Sequence, residues 1–288
     1  MLFAVALVAT GCAKSSSTSE FTVVTAFYPL AYAAEQVSGA KVVNLTPAGV
    51  EPHDLELSAA DVEAIAAADL VVYVPGFQPA VDEAVDQYAS DHSLSALEGI
   101  TLIEAPDGAT DPHVWLAPLN EATIAMNIAA RLGELQPGKS ATFSSNAERF
   151  GAAMATLNDA YVVGLKTCRT RTMVVSHDAF GYLANAYDLT QVGVSGLSPD
   201  AEPSPARLAE VADIVRANNV TTIYTETLVD PKVAQTLADT TGAHTAVLDP
   251  IEGIAPGSEA TSQSGSTQNY ESLMAANLAT LQSGQGCS

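Results

Sequence analysis

At 288 residues the chain is long enough for two ordinary domains, and 48% apolar against 15% charged residues describes a packed globular body rather than a disordered one. Thirty-three acidic against 11 basic side chains give a formal net charge of -22, which argues against nucleic acid or an anionic membrane surface as a partner. Such a surface keeps a protein soluble and gathers cations loosely, but selects none.

In chain order, "MLFAVALVATGCAKSSSTSE" comes first. Its apolar run Leu2 to Ala9 is too short to span a bilayer and reads as a signal-peptide hydrophobic region. Ala9-Thr10-Gly11-Cys12 resembles a bacterial lipobox, in which cleavage leaves Cys12 lipidated and Ser15 to Ser19 as a flexible tether. No Lys or Arg precedes the run, and Ala9 stands where Leu is usual. The expected location is extracytoplasmic, lipid-anchored to the outer face of the cell membrane, or periplasmic without the lipid. With Cys12 lipidated, Cys168 and Cys287 remain in an oxidising compartment, either as a disulfide or as two reduced structural thiols. Their separation resembles no CxxC zinc knuckle.

"FTVVTAFYPLAYAAEQVSGA" reads as a β-branched strand, a turn at Pro29 and a helix closed by Gly39. "KVVNLTPAG" repeats the strand signal, "SAADVEAIAAAD" is a helix capped near Ser58, and "LVVYVPG" is a continuous apolar strand. Continuous apolar runs mark strands buried on both faces, as in a parallel α/β sheet. "PGKSATFSSNAERFGAAMATLNDAYVVGLKTC" is compatible with one helix of roughly 27 residues, near 40 Å at about 1.5 Å per residue. The strand and helix rhythm then returns in "TMVVSHDAFGYLANAYDL", "TQVGVSGLS", "PARLAEVADIVRANN", "VTTIYTET", "DPKVAQTLADTTG" and "HTAVLDPI", predicting a second parallel unit. "APGSEATSQSGSTQNY" reads as a surface loop ahead of a final helix. The predicted architecture is therefore α/β: leader and tether 1–20, first lobe 21–137, stiff linking helix 138–167, second lobe 168–288.

His53 lies in a Pro-flanked loop, His113 follows an Asp-Pro turn just ahead of a helix, and His177 and Asp249 end buried strands. Ligands of open α/β sheets bind beyond the carboxyl ends of strands, so these are site addresses, two from each lobe. Three imidazoles and a carboxylate suit Zn²⁺, which accepts nitrogen and oxygen in a tetrahedron.

The stretches "FYPLAYAAEQVSG", "GVEPHDLELSAADVEAIAAADLVVY", "DPHVWLAP", "VVSHDAFGYLANAYDL", "LSPDAEPSPARLAEVADIVRANNVTTIYTET" and "LDPIEG" resemble the metal-specific solute-binding proteins of bacterial ABC importers, the zinc and manganese group called cluster 9. The resemblance runs in consistent order from about Phe21 to the C-terminus. It implies two α/β lobes on a rigid linking helix, with His53, His113, His177 and Asp249 as first ligands in the cleft. It also implies an ABC permease and ATPase as partners, a monomer, and transported Zn²⁺ as the ligand. Within the family a His at the third position accompanies zinc and a Glu manganese; imidazole in place of carboxylate weakens the pull on hard Mn²⁺. The His-rich acidic loop many zinc members carry is absent, since "EGITLIEAPDGATDPH" is short, so metal capture by such a loop is not expected.

Manganese or broad-range import is the alternative within this class. A secreted zinc hydrolase, with Glu226 or Asp249 as base beside an open zinc position, is the rival from another, and a surface adhesin of the same fold is a third. There is no H-E-x-x-H and no G-x-x-x-x-G-K phosphate loop, so the chain is expected to be neither an enzyme nor the ATPase itself. Glu226 is either functional or a structural carboxylate paired with Arg207. Trp115 and Tyr28 either wall the cleft or pack the core. His92 reads as a surface residue, and His244 as the start of a strand outside the ligand set. Asp54 and Asp178 each follow a proposed ligand.

Overall fold

The structure, a computed structural model, describes residues 21–105, 108–255 and 268–288. The leader, Cys12, the tether and most of the expected surface loop lie outside the described residues.

The first unit runs β1 (Thr22–Thr25), α1 (Tyr28–Ser38), β2 (Lys41–Asn44), α2 (Ala59–Ala67), β3 (Leu70–Tyr73), α3 (Pro79–Tyr88) and β4 (Ser93–Ser95). Its four strands are parallel in the order β2-β1-β3-β4. A 3-10 turn (Val114–Leu116) leads into α4 (Pro118–Leu135), and another (Pro137–Lys139) into α5 (Ser140–Gly164). The second unit comprises β5 (Thr172–Val175), α6 (Gly181–Ala186), β6 (Thr190–Gly193), α7 (Pro205–Ala217), β7 (Thr222–Thr225), α8 (Lys232–Thr241) and β8 (His244–Val247). It repeats the first sheet's order as β6-β5-β7-β8, again parallel. The chain ends on α9 (Tyr270–Gln285).

Local chemistry accounts for these boundaries. Pro29 does not break the chain into a separate turn but sits in the first turn of α1, where its missing N–H has no partner to lose. Gly39 closes α1 at φ +55, a left-handed conformation that glycine adopts without a Cβ penalty. Ser58 caps α2 through a reciprocal box with Asp61, as the sequence predicts. The central strands β1, β3, β5 and β7 are buried almost throughout, whereas the edge strands β2 and β8 leave residues exposed. This is the continuous apolar signature of parallel sheets.

The core under the first sheet extends across the molecule, from Val24, Leu30 and Phe27 through Phe150 and Tyr161 to Met274 and Leu281 of α9. A smaller cluster, Val174, Val211, Val215, Ile223 and Leu237, fills the space beneath α7 and α8. The 25 residues of α5 span about 37 Å at about 1.5 Å each, close to the expected linking helix. α9 packs on α5, where Tyr161 donates to the Met274 carbonyl at 2.7 Å.

Cys168 and Cys287 form a disulfide, S–S 2.05 Å, closing 119 residues of sequence. It lies in a short bridge in which Ser288 N donates to Thr167 O (2.9 Å) and Arg169 N to Gln285 O (3.0 Å). The exit of α5 and the end of α9 are thus one unit. Replacing both cysteines by serine is expected to cost about 2–5 kcal/mol of unfolding free energy, since a long closed loop restricts the unfolded chain. Denaturant titration reads this directly, and coincident curves for the two proteins would contradict it.

Candidate metal centre

Each of the four converging side chains arrives from a strand end or the loop beyond it. His53 follows β2 in a loop whose turn is held by Gln78, which donates to Thr46 Oγ1 and Pro52 O at 3.1 Å each. His113 directly precedes the 3-10 turn, His177 lies two residues past β5, and Glu252 lies five past β8. Their ligand atoms fall within 4.8 Å of one another. His113 and His177 are fully buried, Glu252 is 2% exposed, and the His53 side chain is 10% exposed.

Glu252 Oε1 lies 3.2 Å from His177 Nε2, 3.3 Å from His113 Nε2 and 3.5 Å from His53 Nε2, while the His113 and His177 Nε2 atoms are 3.4 Å apart. Buried Glu252 Oε1 and His53 Nε2 nonetheless have no hydrogen-bond partner. A tetrahedral zinc with N and O ligands at about 2.0–2.1 Å separates its ligand atoms by about 3.3–3.4 Å. The four measured edges match that polyhedron.

The back of two imidazoles is fixed by carboxylates. Asp111 Oδ1 accepts from His113 Nδ1 (2.8 Å) and from its amide (2.9 Å), and Glu226 Oε1 accepts from His177 Nδ1 (2.7 Å) and its amide (3.2 Å). A proton assigned to each Nδ1 leaves the Nε2 lone pair facing the cluster, the arrangement that orients metal-ligating histidines. His53 is held instead by edge contact with the Phe77 ring, centroids 4.5 Å apart. Trp115 packs against His113 at 5.2 Å and so walls the site, while Tyr28 lies away from it among core residues and Glu271.

The electrostatics are those of an anion enclosed by imidazoles. Burial alone would lower the His177 pKa, but the Glu252 charge and the Glu226 hydrogen bond outweigh it and raise it to about 10. His113 is opposed by burial in the same way and raised by Asp111 and Glu252. Burial would raise Glu252, yet His177 and His113 hold its carboxyl well below the usual range. A cation bound at the centre would have to replace those protons.

Asp249, expected as the fourth ligand, is not brought into the cluster. Its Oδ1 accepts from Ile251 N at 2.8 Å and its Oδ2 from Thr227 at 3.2 Å, and burial raises its pKa to about 6. Glu226 is not paired with Arg207, which donates to Gly193 O (2.6 Å) and Glu210 (3.0 Å). His92 pairs with Asp91 at the surface, and His244 opens β8. Asp178 lies outside the cluster and accepts from Gln191 (3.0 Å). Asp54 joins Glu51 and Asp200 in a more exposed acidic group beside the site, where burial and Glu252 raise Glu51 to about 7. Among the described residues no helix is long and apolar enough to cross a membrane.

The chain is similar along most of its length to known zinc-uptake proteins. The family model for ZnuA, zinc-uptake complex component A, periplasmic, matches residues 23–284. The chain is 35% identical over 288 residues to the zinc-binding lipoprotein AdcA of Streptococcus pneumoniae strain R6, covering 93% of this chain and 56% of that protein. It thus spans little more than half the length of the AdcA relatives it matches. With the high-affinity zinc uptake system protein ZnuA of Bacillus subtilis it shares 36% identity over 251 residues, 81% of this chain and 79% of that one. Among solved structures, the laminin-binding protein Lmb of Streptococcus agalactiae, described as bifunctional with adhesin and metal transporting activity, superposes with a TM-score of 0.83 at 33% identity, over 92% of this chain and 99% of that one. The Zn(II)-bound ZnuA-like domain of S. pneumoniae AdcA gives 0.78 at 36% identity, with the same coverage of both chains. Two parallel α/β lobes, a buried cluster of three histidines and a glutamate, and a match over nearly the whole chain identify it as a member of the ZnuA family of zinc-uptake components.

Proposed function

We propose that the chain is the extracytoplasmic component of an ABC-type metal importer, capturing Zn²⁺ between its lobes and delivering it to a membrane permease driven by an ATPase. His53, His113, His177 and Glu252 are the proposed ligands, with Glu252 in place of Asp249. The observation that carries this reading is the set of 3.2–3.5 Å separations around an unpartnered carboxylate oxygen, which fits a small tetrahedral ion. Zinc is the cargo: three neutral nitrogens and one oxygen suit a borderline ion better than hard Mn²⁺. Four converging protein donors leave no open position for an attacking water, which disfavours a hydrolase. Lipidation at Cys12 would tether a monomer to the outer face of the membrane, near its permease.

Elemental analysis of protein exposed to equimolar Zn²⁺ and Mn²⁺ tests the proposal. One zinc per chain is expected, lost in His177→Ala. Manganese in excess of zinc would overturn the metal assignment, and absence of either metal would overturn the site.

A further inference from the structure

Ile251 is fully buried and adopts φ +56. A β-branched residue in the left-handed region is an outlier that persists only where its surroundings over-determine it. Three contacts do so. Asp249 Oδ1 accepts from the Ile251 amide at 2.8 Å. Asn277 of α9 brackets Asp249, accepting from its amide at 2.8 Å and donating to its carbonyl at 2.7 Å. The Trp115 indole Nε1–H donates to the Pro250 carbonyl at 2.8 Å.

The first two contacts come from the second lobe and from α9, a helix that also touches the first lobe through Tyr270 and Glu271. The third comes from the first lobe, two residues after His113, and crosses the cleft. Tyr270 of α9 steadies it by donating to the Trp115 carbonyl. Beyond Glu252 a second bond crosses the same cleft, from Gly49 N to Ile254 O at 2.8 Å. Glu252 therefore sits on a strained turn pinned on both sides by the opposite lobe, and only the Trp115 pin uses a side chain.

We propose that Trp115 is a positioning residue: its indole latches the Pro250–Ile251 turn from across the cleft, so that the Glu252 carboxylate enters the imidazole cluster only while the lobes are closed. This rests on the reading of Glu252 as a ligand. Opening removes the latch, the turn relaxes toward ordinary φ, and the carboxylate withdraws with it. Closure and completion of the four-donor site become one event, and so do opening and release.

The test is a double-mutant cycle of Trp115→Phe and Glu252→Ala, with zinc affinity read by chelator competition. Deleting the indole N–H is expected to weaken zinc binding roughly 10- to 100-fold in the native background, the range for groups that orient a ligand. In the Glu252→Ala background the same change is expected to cost less than about twofold, because the group it acts through is gone. Equal losses in both backgrounds, or none in either, overturn the latch. If Glu252→Ala alone leaves affinity intact, the ligand reading fails instead. A second measurement needs no variant. Trp115 is the chain's sole tryptophan, so its indole N–H gives a single resolvable NMR signal. Strong protection from solvent exchange in the zinc-loaded protein, lost on zinc removal, is expected; equal exchange in both states overturns the proposal.

Discussion

Glu252→Ala is expected to weaken zinc binding by more than about 100-fold, whereas Asp249→Asn should change it by less than about tenfold, since loss of a direct donor exceeds the usual effect of an outer partner. The structural reason is the division of labour within four residues. Asp249 spends one carboxylate oxygen on the Ile251 amide and the other on Thr227. Asparagine keeps an acceptor for the amide, so the turn survives. Glu252 is 2% exposed, and its Oε1 faces three Nε2 atoms with no hydrogen bond of its own. Alanine removes the only anion in that cluster and leaves three neutral donors, which hold a dication far less firmly. Chelator competition with both variants reads the difference. The reverse order of effects would assign the fourth ligand to Asp249.

Zinc uptake near neutral pH is expected to release about one proton or more per ion, and affinity should keep rising with pH above 7, because ligating imidazoles must first lose their protons. The sign follows from His177. Its pKa in the metal-free fold is raised from 6.5 to about 10 by Glu252 and Glu226 against the opposing effect of burial. The stability this charge contributes to the metal-free protein is fully present below pH 6.5 and is lost as pH rises through about 10. Zinc competes with that proton throughout the window, and the raised His113 adds to the competition. Calorimetric titration at pH 7.5 in two buffers of different ionisation enthalpy gives the proton count. Zero protons released, together with constant affinity from pH 5 to 9, would contradict the account.

Three of the four side chains expected from the sequence, His53, His113 and His177, are brought together by the fold. His177 follows the apolar run of β5, and His113 stands between an Asp-Pro turn and a helix, so the rule that ligands gather at strand ends finds both. The two-lobe plan follows equally from the repeated strand and helix rhythm, and α5 from a long stretch with few breakers. The carboxylate that joins them, Glu252, was not legible by the same rule. Asp249 is nearer the end of β8, and nothing in "LDPIEG" states that the backbone reverses into a left-handed conformation at an isoleucine. That reversal consumes Asp249 as a cap and turns Glu252 inward. The carboxylates behind the imidazoles divide in the same way. Glu226 directly follows β7 and stood out as a candidate, though its partner is His177 rather than Arg207. Asp111 gave no signal beyond lying two residues before His113, a spacing that lets one side chain reach both the amide and the ring.

A zinc ion held by three imidazoles and Glu252 is tested most directly by anomalous diffraction at the zinc edge from crystals of the zinc-loaded protein. The expected result is one peak within about 2.0–2.2 Å of His53, His113 and His177 Nε2 and a Glu252 carboxylate oxygen. A peak bonded to Asp249 with Glu252 turned away, or one held by Glu51, Asp54 and Asp200 with the histidine cluster empty, would contradict it.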